Sequence, residues 1–219
     1  ILVFSKIMGA KLALLGLESD EYGYSIYLIC GMLPWAYFSV GVLRISTLFL
    51  DKAGLISKVQ LPLAQLSLSI IGAELIVLLI SLVFFAIFIL WIGFPITWVW
   101  LALIPVILVQ SLFIYAIGLI LAVLVVFVRD IKEFVNVVIQ LWFWLTPIVY
   151  VPNIIPESFQ WWYKINPIAP LLSMYRSIVI DAQLPSLWVL SAHFAVALGV
   201  SYLALRFLRG LERDLRDLI

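Results

Sequence analysis

The sequence has little of what catalytic and metal sites are made from. Its 219 residues include one histidine and one cysteine, and only 11% of them are charged. Metal binding would need clustered His, Cys or carboxylate ligands, and an internal disulfide would need two cysteines. No GxxxxGKS or GxxxxGKT motif occurs, so the chain lacks the loop through which many proteins bind ATP phosphates. The sequence therefore predicts a protein that is not an enzyme and holds no cofactor or metal of its own.

Apolar residues are abundant instead. They make up 66% of the chain, against about 45–50% in globular proteins, and the mean hydropathy is +1.22. We expect one all-α integral membrane domain over residues 1–219, since each span takes about 20 residues. Six predicted spans follow the apolar runs Ile1–Leu17, Tyr24–Leu50, Leu63–Ile92, Trp98–Val128, Phe134–Pro147 and Leu187–Arg206. The first is short and carries two lysines, so we expect roughly 30 further residues, mostly cytoplasmic, before Ile1.

Proline is concentrated in one segment. Six of the ten prolines lie between Pro147 and Pro185, and each removes a backbone donor and discourages helix in the residue before it. The segment is nevertheless apolar, and a membrane tolerates broken backbone only where protein buries it or a cavity wets it. The pattern predicts two re-entrant helices between spans five and six, at about Glu157–Lys164 and Ile168–Asp181.

Basic residues indicate the orientation. If the loops at 51–62 and 129–133 and the C-terminal tail are cytoplasmic, nine basic residues lie inside and four outside. That bias fits the positive-inside rule, and the opposite topology violates it. We therefore predict a multi-pass protein with a cytoplasmic C-terminus and an external proline-rich segment.

Glu74 is the one carboxylate well inside a predicted span. A charge at the membrane centre costs roughly 2.5–3.5 kcal/mol on insertion scales, so it normally has a partner or a task. Arg44 in the neighbouring span can reach towards it, and we favour a buried ion pair between the two. A polar contact lining a pathway and a proton relay are the alternatives, although a relay would need a series of such groups. His193 is expected to be a packed or interfacial side chain.

The aromatic residues are unevenly distributed. All nine tryptophans fall at the midplane or on the external side of the predicted topology, whereas ordinary aromatic belts occupy both faces. One face of the fifth span combines amides with flat rings at Asn136, Gln140, Phe143, Trp144 and Pro147. It is either a helix-packing seam or a surface along which sugar rings slide. For the second interpretation, the predicted substrate path comprises Asn136, Gln140, Trp142, Phe143, Trp144, Tyr150, Trp161 and Trp162.

Two predicted cytoplasmic segments are candidates for partner contact. In the loop at 51–62, the side chains of Leu55, Ile56 and Val59 would share one helical face. A short helix of this kind gains stability by docking its apolar face, either on a partner protein, which we favour, or in lipid headgroups. In the loop at 129–133, two acids alternate with two bases, which predicts a salt-bridged elbow that starts a helix.

Three stretches carry a family resemblance: YLICGMLPWAYFSVGVLRISTLFLDKAGLISKVQLPLAQL, VFVRDIKEFVNVVIQLWFWLTPIVY and INPIAPLLSMYR. In this order they resemble the ABC type-2 permeases that export polysaccharides such as O-antigen, capsule and teichoic acid. The resemblance implies a six-span half-transporter that forms a homodimer in the bacterial inner membrane. It also implies two separate ATPase subunits that bind ATP and Mg²⁺, a coupling helix at 51–62, and an N-terminal amphipathic helix preceding this stretch of sequence. Residues predicted to couple to the ATPase are Leu55, Ile56, Lys58, Val59, Arg129, Asp130, Lys132 and Glu133.

The predicted function is that of a permease subunit in an ATP-driven exporter of a lipid-linked polysaccharide. The glycan would enter from the cytoplasmic leaflet and pass along the interface of two copies. One alternative is an exporter of drugs or lipids with the same architecture. Another class, a membrane-embedded enzyme of lipid-linked glycan assembly, would need paired carboxylates or a phosphate-binding basic cluster near one leaflet.

Overall fold

The computed structural model describes residues 22–59, 62–152 and 165–218. Within these ranges the regular structure is helical and contains no strand, which confirms the all-α prediction for this part of the chain. The helices run in the order α1 (Gly23–Asp51), α2 (Ala53–Ile56), α3 (Leu63–Trp91), α4 (Leu103–Phe127), α5 (Ile131–Leu145), α6 (Ile168–Val179) and α7 (Leu187–Leu218). A turn of 3₁₀-helix, Trp98–Ala102, leads directly into α4.

Four helices are long and apolar enough to cross a membrane: α1, α3, α4 with its preceding 3₁₀ turn, and α7. They coincide with the second, third, fourth and sixth predicted spans. Helix α5 has 15 residues, which is about 22 Å of helix against a hydrocarbon core of about 30 Å. The predicted span Ile1–Leu17 and the predicted helix Glu157–Lys164 lie outside the described residues. The arrangement with six spans therefore stays a prediction.

Helix α4 lies at the centre and packs against α1 on one side and α7 on the other. Close approach of α1 and α4 depends on glycine, since a Cβ on Gly118 would lie 2.8 Å from the Cβ of Ile45. Small residues at helix contacts allow this spacing in membranes. Helix α3 is apolar all round and mostly exposed, as expected of a helix that faces lipid.

The helix ends follow local sequence rules. Helix α3 ends at a Schellman turn, in which Gly93 adopts a φ of +78° and the Phe94 amide donates to the Ile89 carbonyl. Helix α5 ends at Leu145 because Pro147 disfavours helix at Thr146, whose ψ is 134°. Several boundaries differ from prediction. Helix α5 ends two residues before Pro147, and α6 ends at Val179, two residues before the predicted Asp181. Helix α5 begins three residues before Phe134, and α7 continues beyond Arg206, because the charged tail is also helical.

Candidate functional site

The break after α5 is held by a buried hydrogen-bond network. The Thr146 hydroxyl donates to the Trp142 carbonyl at 2.8 Å and accepts from the Asn166 amide at 2.9 Å. The oxygen of Asn166 accepts the Trp142 indole N–H at 3.1 Å and the backbone N–H of Ile168 at 3.0 Å. Asn166 thus joins the end of α5 to the start of α6.

Arg176 of α6 reaches from this network to α1. Its side chain is buried and donates to the carbonyls of Pro147 at 2.7 Å and Ile148 at 2.9 Å. The guanidinium carbon lies 3.7 Å from the centre of the Tyr27 ring, a cation–π contact. Gly31, one turn further along α1, leaves room for it: a Cβ there would lie 2.7 Å from the terminal nitrogen. We call these five residues the arginine clamp.

Two tyrosines of α1 extend the clamp along the broken backbone. The Tyr24 hydroxyl donates to the Val149 carbonyl at 3.2 Å, and the Tyr27 hydroxyl donates to the Tyr150 carbonyl at 3.0 Å. With the two bonds from Arg176, every carbonyl from Pro147 to Tyr150 accepts a side-chain hydrogen bond. Non-helical backbone can persist at membrane depth when its polar groups are satisfied in this way.

A second buried polar bridge joins α1, α4 and α6. Gln110 of α4 is fully buried, donates to the Pro34 carbonyl of α1 at 2.6 Å and accepts from the Tyr175 hydroxyl of α6 at 2.8 Å. Sequence reasoning missed the roles of Gln110 and Arg176. Each is a polar side chain in a largely apolar run, which marks it as a candidate for a buried polar contact, but the sequence does not show its partner.

The predicted substrate path divides into two sets. Trp142 and Phe143 point towards α1 and pack in an aromatic cluster with Trp35, at ring-centroid distances of 6.3 and 5.9 Å. Phe38 closes that cluster 5.4 Å from Trp142. Trp142 is therefore a packing residue of this chain. Tyr150 is half-buried and donates to the Trp144 carbonyl.

The other set remains open to the surroundings. Gln140 is exposed, Asn136 is half-buried, and 65% of Trp144 is accessible. Pro147 does not share this face, since it is buried beyond the end of α5. We call Asn136, Gln140 and Trp144 the α5 strip. Trp161 and Trp162 lie outside the described residues.

Arg44 and Glu74 form an ion pair between α1 and α3. The glutamate is buried, whereas 51% of the arginine side chain remains accessible, so only the carboxylate is enclosed. Among the described residues, the other buried charged side chain is Arg176. No series of buried carboxylates crosses the part of the chain that the structure describes. His193 is half-buried beside Phe113, and its Nδ1 lies 2.7 Å from the Val189 carbonyl.

The short helix α2 presents only part of the predicted coupling face. Leu55 and Val59 are 45% and 46% accessible, and Lys52 and Lys58 are exposed beside them. Ile56 is 4% accessible because it packs in the chain's own core. It is therefore not part of the surface that a partner would meet.

The elbow before α5 starts a helix as predicted, with Asp130 as its N-cap residue. The predicted salt bridges are wrong: within the described ranges, none of Arg129, Asp130, Lys132 and Glu133 forms an ion pair. All four side chains are exposed. Exposed pairs gain little from association, so these charges stay separate and solvated.

Comparison with known proteins identifies the family. The family model described as ABC-2 type transporter matches residues 2–180. The chain belongs to this family. Two O-antigen export system permease proteins RfbA from Klebsiella pneumoniae are similar to it, with 30% identity over 164 residues and 31% over 162, each covering 74% of this chain and 62% of the relative. The corresponding Myxococcus xanthus protein is 28% identical over 183 residues, or 83% of this chain and 70% of that protein. The chain thus spans less than two thirds of the length of the Klebsiella relatives.

Proposed function

We propose that this ABC-2 family chain is the permease subunit of an ATP-driven exporter that moves a lipid-linked polysaccharide across the cytoplasmic membrane. The observation that carries the proposal is its similarity, over about three quarters of its length, to relatives named as O-antigen export permeases. In this role the chain transports and does not catalyse. ATP and Mg²⁺ would be bound by a separate ATPase subunit.

The proposed assembly is a homodimer of six-span permeases above two ATPase subunits in a bacterial inner membrane. Helix α5 would form the fifth span together with the clamped segment that follows it. Helix α6 would be the second of two external re-entrant helices, and α7 would end in the cytoplasm. The excess of basic residues on the proposed cytoplasmic side supports this orientation.

The proposed glycan path follows the α5 strip at the interface of two copies. Gln140 and Trp144 are exposed there in the single chain, and an amide beside an aromatic ring suits a sugar, which offers both hydroxyls and apolar ring faces. Such lining groups and the width of the bore generally decide what a membrane pathway admits. Trp142 and Phe143 would pack between α5 and α1 and would not contact the glycan.

Coupling to ATP hydrolysis is proposed to act through α2 and the elbow before α5. Both are exposed on the proposed cytoplasmic side, and both directly adjoin long helices. When the ATPase moves α2, the displacement passes to α1 and α3. Packed helices respond to such pushes by rigid-body shifts.

The function is tested by deleting the gene and analysing the envelope glycans. We expect the surface polysaccharide to disappear and its lipid-linked form to accumulate on the cytoplasmic side, with both effects reversed by the intact gene. Unchanged surface glycan together with altered sensitivity to drugs would favour the alternative exporter. Loss of the lipid-linked glycan itself would favour an assembly enzyme and contradict the proposal.

The topology is tested by single cysteines on either side of the proposed re-entrant region. Cys30 is buried and would be replaced by serine to give a silent background. We expect Glu157→Cys and Gln183→Cys to react with a membrane-impermeant thiol reagent added outside whole cells. Labelling of one position only from the cytoplasmic side would show that the segment crosses the membrane.

A further inference from the structure

A recess of about 210 Å³ opens between α1 and α5, on the side that we propose to be cytoplasmic. The residues that line it are Leu43, Arg44, Ser46 and Thr47 of α1 and Lys132 and Asn136 of α5. Five of these six side chains are polar and two of them are cationic. The lining contains no carboxylate. Two larger pockets elsewhere in the described part of the chain have almost wholly apolar linings.

The two cationic side chains of the recess form few hydrogen bonds or ion pairs with other residues. Arg44 gives one terminal nitrogen to Glu74, yet half of its side chain stays accessible. The side chain of Lys132 is exposed and forms neither a hydrogen bond nor an ion pair with any residue that the structure describes. The nearest acid along α1 is Asp51, which accepts the Thr47 hydroxyl at 2.7 Å and does not line the recess. Lys132 therefore contributes a positive charge that no lining carboxylate offsets.

The recess also adjoins the proposed glycan path. Asn136 lines it and is the first residue of the α5 strip, followed one and two turns later by Gln140 and Trp144. On the proposed orientation, Arg44 lies about 10 Å before the cytoplasmic end of α1, which is close to the depth of lipid headgroups. A group bound in the recess would therefore lie at the depth of the cytoplasmic headgroups and next to the α5 strip.

We propose that this recess binds the phosphate group of a lipid from the cytoplasmic leaflet. Guanidinium, ammonium and amide groups together suit phosphate oxygens, with charge-assisted bonds from Arg44 and Lys132. The inference deepens the proposed function and rests on its orientation, because the recess would hold the phosphate end of a lipid-linked substrate while its glycan contacts the strip. The same chemistry could be met by free phosphate in the cytoplasm, so the experiment separates the two sources.

The test uses the complete permease–ATPase complex in detergent, with bound lipid measured by native mass spectrometry. Phosphatidic acid is the probe, phosphatidylcholine is the comparison lipid, and inorganic phosphate and diphosphate are competitors. Lys132→Gln should weaken phosphatidic acid binding about tenfold, since a hydrogen bond to a charged group is lost. Arg213→Gln is the control, because Arg213 is exposed in the tail that we propose to be cytoplasmic, does not line the recess and is not part of the proposed coupling surface. We expect it to bind as the wild type does.

Three results decide the matter. Selective weakening in Lys132→Gln, without displacement by free phosphate, supports a lipid phosphate site. Equal affinity in all three complexes would overturn the site while leaving the export function untouched, since export is measured separately in cells. Displacement by inorganic phosphate at concentrations that match the lipid would overturn the lipid assignment in favour of a soluble anion.

Discussion

The two ends of the α1–α5 contact are built in opposite ways. At the end that we propose to be external, called the outer end below, four consecutive backbone carbonyls from Pro147 to Tyr150 accept hydrogen bonds from side chains of α1 and α6. At the opposite end, which we propose to be cytoplasmic and call the inner end, α2 and the elbow at 129–133 are also breaks between long helices. The charged side chains of the elbow and on either side of α2 are exposed and form no ion pair among the described residues. One break is completed within the chain. The other leaves its charged side chains exposed.

This difference fits a division of labour in the proposed transporter. A break whose consecutive carbonyls all accept hydrogen bonds resists displacement, because movement would leave these acceptors unpaired. An exposed break can bind a partner and move with it at little cost to the fold. The outer end would therefore keep the helices in register while the inner end transmits motion. The contrast can be tested through the stability of variants of the permease.

Replacing Arg176 should cause the largest loss. Arg176→Met removes a buried charge that satisfies two buried carbonyls, and each carbonyl left unpaired costs about 1–3 kcal/mol. We expect the unfolding free energy in detergent to fall by about 3 kcal/mol or more, with a clear drop in melting temperature. Arg129→Met is the matched control, since Arg129 is exposed, and its melting temperature should not change. Equal stability of the two variants would show that the clamp does not hold the outer end.

Gly31→Ala should be the next most harmful. The added Cβ would lie 2.7 Å from the Arg176 terminal nitrogen and 3.3 Å from the Ile148 carbonyl oxygen. Arg176 cannot retreat without losing its bonds, so we expect a loss of about 1–2 kcal/mol, as for other overpacked sites. In contrast, Gly72→Ala meets open space on α3 and should raise stability slightly through better helix propensity. If both alanines behaved alike in thermal melts, the clamp would not be tightly packed.

A smaller effect is expected at the ion pair near the inner end. Glu74→Gln removes the buried carboxylate, but the half-accessible Arg44 can turn its charge towards the headgroups. We therefore expect a loss of about 1 kcal/mol or less. Glu133→Gln, at an exposed position, serves as the control and should have no effect on melting. A loss as large as that of Arg176→Met would mean that Arg44 depends on Glu74 far more than its exposure indicates.

Much of the fold could be predicted from hydropathy and proline alone. Helices α1 and α3 begin and end within one residue of the predicted spans, and the break at Thr146 follows from the proline after it. These features depend on local sequence, which a single chain displays directly. The contact between Arg44 and Glu74 could also be predicted from the sequence, because two opposite charges in adjacent apolar spans have few other partners.

The arginine clamp could not be predicted in the same way. Arg176 meets the carbonyls of Pro147 and Ile148, which are almost thirty residues earlier, and only the packing of α6 against α1 brings them together. The same limit affected α5, where helical periodicity put Phe143 and Trp144 on one face. The structure turns Phe143 towards Trp35 and leaves Trp144 exposed. Burial of Ile56 was missed because a four-residue helix has too little periodicity to show which side faces the core.

The smallest effect on stability is expected at α2, and it should come with the largest effect on assembly. Leu55 is 45% accessible, so Leu55→Asp should change the unfolding free energy of the permease by less than about 0.5 kcal/mol. If the apolar surface of Leu55 and Val59 docks in the ATPase, the aspartate would be desolvated without a partner there, at a cost of several kcal/mol. We expect the ATPase to be lost on co-purification and glycan export to stop, while the permease still inserts.

Ile56→Asp is the contrasting variant. Ile56 is buried, so its replacement should unfold the inner end even in the absence of a partner. If a stable Leu55→Asp permease still binds the ATPase normally, α2 is not part of the coupling surface. The difference between the two ends would then not reflect a role in coupling.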